Sequence, residues 1–101
     1  MDTDFTITLE EQEKILRTYF KEGLEGPLHG FPSKERRKII ILKHIMKGFK
    51  SNQRYTEKEV NEILKQVFQD YVMLRRYLVD YGFMERTEDG LTYWVKDGKQ
   101  L

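Results

Sequence analysis

Arg75 and Arg76 are the only basic side chains in the stretch from Asp70 to Tyr81. An arginine can clamp guanine with two hydrogen bonds, a contact that discriminates between bases by about 1–3 kcal/mol. A second group, Arg36, Arg37 and Lys38, belongs to a segment, residues 34–54, with eight positive side chains against Glu35 alone. That segment carries +7 in a chain whose total is +1, which leaves −6 for the rest. Such cations can hold a phosphate backbone by charge, without sequence preference, or they form a solvated helix face. Arg75 and Arg76 equally suit surface ion pairs, for instance Arg76 with Asp80 four residues on.

Enzymatic chemistry has little to draw on. His29 and His44 are the only histidines, and there is no cysteine, Gly-rich phosphate loop or metal-spaced triad. His29 in a Gly-rich loop and His44 on a polar helix edge read as bystanders. Asp70 reads as a helix cap and Asn61 as a partner of nearby backbone. The expectation is a protein that is not an enzyme and takes no metal or cofactor. The lack of cysteine excludes disulfides and suits a reducing compartment. Charged residues make up 35% of the chain, no apolar run approaches the ~20 residues of a membrane span, and the start is acidic. The expected location is cytoplasmic, away from membranes.

These side chains need elements to position them. The 101 residues suffice for one compact domain, which buries roughly 65% of its unfolded surface. Thr8 and Glu11 form a capping-box pattern that opens an amphipathic helix over Leu9–Lys21, with Leu9, Ile15, Leu16, Tyr19 and Phe20 apolar. Gly23, Gly26-Pro27 and Gly30 then break the chain. Ser33 is expected to cap a helix to about Phe49, whose broad apolar face includes Ile41, Leu42 and Ile45. Ile40 sits among polar neighbours, which suggests a second contact with the first helix or no contact at all. Arg54-Tyr55 can form a short strand. Thr56 with Glu59 caps the next helix, buried through Val60, Ile63, Leu64 and Val67. Asp70 caps a helix whose core face is Tyr71, Leu74, Tyr77, Leu78 and Tyr81, stopped by Gly82. Phe83–Arg86 and Leu91–Val95 flank Thr87-Glu88-Asp89-Gly90 and read as a hairpin.

The order helix, connector, helix, hairpin is that of a winged helix. The expected fold is mainly α (α+β): a winged helix-turn-helix with three core helices, a C-terminal β-hairpin wing and an extra N-terminal helix. The chain divides into 1–30, the amphipathic helix and its Gly/Pro loop; 31–96, the winged-helix-like domain; and 97–101, a disordered tail. The outward face of the Asp70–Tyr81 helix counts against base readout, because it holds Val72, Met73, Val79 and Asp80 around Arg76. Exposed apolar residues suit a protein contact better, although Val79 could also pack under the hairpin. Glu57, Glu59 and Glu62 on the preceding helix have the wrong sign for phosphates. Of Tyr93 and Trp94, alternation turns one ring inward and frees the other to stack on a base or a partner.

Phe31-Pro32-Ser33-Lys34, the string Tyr55-Thr56-Glu57-Lys58-Glu59-Val60-Asn61-Glu62-Ile63-Leu64, and Leu74-Arg75-Arg76-Tyr77-Leu78-Val79-Asp80-Tyr81-Gly82 form a distinctive set. With Arg86, Gly90 and Tyr93-Trp94, it resembles a bacterial family catalogued as domain of unknown function 2087. The resemblance runs from about Phe20 to Trp94. It implies a winged-helix-like domain associated with transcriptional regulators, which in longer members follows a DNA-binding domain of the arsenic-repressor (ArsR) type. About thirty residues before Phe31 are too few for another winged helix. Phe68 stands where relatives often have a histidine. The family supplies no catalytic or ligand residues.

Two expectations follow. In the first, the chain binds DNA through Arg75, Arg76, Arg36, Arg37 and Lys38, as a homodimer built with the N-terminal helix. In the second, it is a protein-interaction, dimerisation or ligand-sensing module that meets a protein partner through Val72, Met73, Val79 and Asp80.

Overall fold

A computed structural model describes residues 8–96; the tail expected at 97–101 lies outside the described residues. The fold is α+β, with four α-helices and a three-stranded antiparallel sheet in the order β1-β3-β2.

Helix α1 spans Leu9–Tyr19 and begins where Thr8 Oγ1 accepts the backbone N–H of Glu11 at 3.0 Å. It stops two residues short of Lys21 because the loop after it claims the Tyr19 carbonyl, which accepts from His29 N at 2.7 Å. Gly23 takes φ +117 in that loop, a value open to glycine but strained for other residues. Leu16, Phe20 and Leu28 join the same buried cluster as the later elements.

Helix α2 covers Glu35–Ile45, and here the Ser33 cap is corrected. The N-cap is Lys34, and no side chain caps the helix. Pro32 is buried and Phe31 stacks on Tyr77 at 5.4 Å, so packing rather than a cap sets where the chain enters the helix. A 3-10 turn, Met46–Gly48, replaces the expected last turn before Phe49 becomes extended. Ile40 is only 1% exposed. It lies between Arg36 and His44 on one stripe, and those two meet Glu11 and Phe20 of the α1 segment, so α1 roofs over Ile40.

Strand β1, Arg54–Thr56, leads directly into α3, Glu57–Lys65. The capping box is complete: Thr56 N donates to Glu59 Oε1 at 2.8 Å and Glu59 N to Thr56 Oγ1 at 3.1 Å. Such a cap contributes about 1 kcal/mol. The helix ends before Val67 because the Val67 carbonyl accepts from Leu28 N at 2.7 Å. Helix α4, Tyr71–Asp80, starts where Asp70 Oδ1 accepts from Met73 N at 3.2 Å. Val60, Leu64, Leu74 and Leu78 have no exposure at all, nor do Ile41 and Leu42 of α2, which places the core where α2, α3 and α4 meet.

Strands β2, Met84–Arg86, and β3, Thr92–Val95, form the hairpin. The Asp89 carboxylate accepts from Thr87 Oγ1 at 2.6 Å and Leu91 N at 2.9 Å, which holds its pKa below the ordinary value. The register pairs Arg54 with Trp94 and Trp94 with Glu85, while Tyr55 and Arg86 both face Tyr93. No helix among the described residues is long and apolar enough to cross a membrane.

Candidate functional site

Arg75 and Arg76 point in different directions, because consecutive helical residues are turned by about 100°. Arg75 is turned toward α3. Its Nη1 donates to Asn61 Oδ1, and its Nη2 lies 3.5 Å from Glu57 Oε2, leaving its side chain 15% exposed. These contacts give it a tethering role between the two helices. Arg76 is exposed and makes no ion pair with Asp80.

Arg76 instead borders a cleft of about 390 Å³ between α4 and the hairpin, shared with Asp80, Arg86 and Tyr93. Arg86 reaches it because directly paired residues in a sheet project to the same face, and its pair is the inward Tyr93. Its Nη1 donates to the carbonyls of Thr87 and Glu88 at 3.0 and 3.3 Å, which fixes the guanidinium at the hairpin tip. Arg86 was not among the expected cations. Its position follows from the strand register and the turn together, and neither helix periodicity nor charge clustering signals it. The lining counts three arginines against Glu57 and Asp80, with Glu57 already engaged by Arg75.

The apolar face of α4 is smaller than its sequence suggests. Val72 is 40% exposed, whereas Met73 and Val79 pack partly against the core. Val79 also lines the space beneath the hairpin. Asp80 is exposed near the helix end.

The α2 cations are split by their helix. Arg36 is clamped by Glu11 through hydrogen bonds of 3.0 and 3.1 Å, which dock α2 on α1. Lys38 goes the other way, its Nζ 5.1 Å from the centre of the Tyr77 ring on α4. Beside it, burial first, then the nearby Glu35 carboxylate, raises the pKa of the Tyr81 hydroxyl above the ordinary value. Arg37 is exposed beside α1. The five expected nucleic-acid cations therefore do not form one surface.

The remaining candidates are placed by structure. His29 Nε2 lies 2.9 Å from Glu22 on the exposed loop. His44 Nε2 donates to the Leu24 carbonyl at 2.8 Å, and its ring packs 5.0 Å from Phe20. Tyr93 is the inward ring of the hairpin. Trp94 faces outward, where Arg54 covers it at 4.5 Å and Glu85 accepts its Nε1–H at 3.0 Å. Among the described residues no group of three or more His, Cys, Asp or Glu side chains could hold a metal ion.

Residues 27–95 match a family model described as an uncharacterized protein conserved in bacteria (DUF2087). No curated protein and no solved structure matches the chain.

Proposed function

We propose that this chain, which belongs to the DUF2087 family, is a winged-helix domain of the transcription-regulator type that binds duplex DNA through α4 and the hairpin. The observation that carries the reading is the pairing of Arg76 and Arg86 at one cleft. They come from the helix and the hairpin that a winged helix presents to a groove and its flanking phosphates. The sheet order β1-β3-β2, with β1 entering before α3, supports the same reading. Arg75 serves as scaffold, and the α2 cations lie on other sides, so contact rests on Arg76 and Arg86. Asp80 beside them keeps the interaction weak.

Two phosphate contacts give a slope of about −2 in log affinity against log salt, or roughly tenfold lost between about 50 and 200 mM. Fluorescence anisotropy with mixed-sequence duplexes measures this. Arg76→Glu combined with Arg86→Glu is expected to remove binding while the domain stays folded. No binding by the wild-type chain at low salt would sink the proposal.

Val72 favours a second reading, a protein-interaction, dimerisation or ligand-sensing module. At 40% exposure it is the most exposed apolar residue on α4, with Asp80 on the same outward side. On this reading Val72→Asp is expected to abolish self-association seen by light scattering, with the circular dichroism of the folded chain retained. Unchanged association in the folded variant removes it.

A further inference from the structure

We propose that the cleft between α1 and the start of α2 binds a small phosphate monoester. The cleft holds about 400 Å³, with Lys14, Ile15 and Tyr19 from α1 facing Lys34, Arg36 and Arg37. Small-molecule sites are concave spaces of roughly 300–1,000 Å³. Among the described residues that line it, four cations meet one carboxylate, Glu11, and the Arg36 clamp already engages that carboxylate. Lys14, Lys34 and Arg37 are exposed and have no acid partner among the described residues.

Like charges held around one concave space repel one another. A dianion placed between them relieves that repulsion and gains charge-assisted hydrogen bonds. Half-buried Ile15 and Tyr19 add an apolar wall, which a bare anion would leave unused and the organic body of an ester would cover. The two hydrogen bonds between Arg36 and Glu11 hold the walls at a set spacing, so the site is formed before any ligand arrives. The cleft shares no lining residue with the one between α4 and the hairpin. One wall, α1, lies outside the family-matched residues 27–95.

The test is an NMR titration of the intact chain with phenyl phosphate, run beside inorganic phosphate, benzoate and phenol at matched ionic strength. Phenyl phosphate is expected to bind at least about tenfold more tightly than each of the others, with amide shifts confined to α1 and the start of α2. Lys34→Glu with Arg37→Glu should weaken it at least about tenfold, and the milder pair Lys14→Gln with Arg37→Gln should weaken it if the charge-reversed chain does not fold. Arg76→Glu, which tests the DNA reading, should leave it unchanged. Equal binding of inorganic phosphate or benzoate, shifts elsewhere, or indifference to the cleft variants overturns the proposal. So does displacement of phenyl phosphate by a duplex that shifts the same amides.

Discussion

Leu74→Ala is expected to destabilise the chain by about 2–5 kcal/mol, the largest effect of any single truncation proposed here. Leu74 has no exposure and lies among Val60, Leu64 and Leu78, which have none either. Removing its branched end costs the transfer free energy of the lost carbons and leaves a cavity that rigid neighbours cannot close. Domains of this size have about 5–15 kcal/mol in total, so the variant lies near the edge of folding. A loss of 1 kcal/mol lowers Tm by roughly 4–8 °C at this length, which puts the drop at about 8–40 °C. Thermal and urea unfolding monitored by circular dichroism measure it. Leu9→Ala is the control: Leu9 is 84% exposed, and its loss should change Tm little. A near-native Tm for Leu74→Ala would mean that the α3–α4 packing described above is wrong.

The second large effect separates two neighbouring arginines. Arg75→Ala is expected to cost about 1.5–3 kcal/mol, the range for hydrogen bonds to a charged group, because Asn61 and Glu57 both lose their partner. Glu57 is 41% exposed, so water recovers part of its loss, and the Asn61 bond carries most of the effect. Arg76→Ala should stay within about 0.5 kcal/mol, as surface changes do. Urea denaturation of the two variants gives the comparison, and an Asn61→Ala/Arg75→Ala cycle should show clear non-additivity. On the proposed DNA-binding reading the ranking is expected to reverse: Arg76→Ala should weaken duplex binding, while Arg75→Ala should leave the affinity of the folded fraction alone. Equal stability losses at the two positions would remove the tethering role of Arg75.

Much of the fold was legible because its signals are short-ranged. Thr8, Thr56 and Asp70 each receive a bond from a backbone N–H three residues on, and that spacing is visible in the chain. The hairpin was legible through Gly90 and the Asp89 turn, and alternation showed that one of Tyr93 and Trp94 turns inward, while the packed structure decided that it is Tyr93. Ser33 was misread because a capping residue type does nothing unless the backbone enters the helix at that point. At α2 the entry is set by buried Pro32 and by the contact of Phe31 with Tyr77, 46 positions away in the chain. Helix ends were misplaced for a similar reason. The carbonyls of Tyr19 and Val67 are taken by loop N–H groups from His29 and Leu28.

The candidate site was less legible. Charge clustering grouped Arg36, Arg37 and Lys38, yet a helix sends successive side chains about 100° apart. Their surroundings thus depend on what packs on each side: Glu11 for Arg36, Tyr77 for Lys38, and an open cleft for Arg37. Arg86 counted only among the residues that carry the family resemblance, not as a site cation, because its value comes from lying opposite Tyr93 and beside Arg76, a relation set by register and packing.

The order of amino acids by itself determined which stretches become helices and strands, where most caps fall, and which apolar faces must be hidden, because those depend on neighbours within one or two turns. Only the assembled chain decided which cations tie the structure together and which face outward. Those outcomes depend on partners 14 and 25 residues away, as Arg75 with Asn61 and Arg36 with Glu11 show. A pattern of spacing fixes the direction of a side chain relative to its own helix, and the element that packs there fixes what the side chain meets.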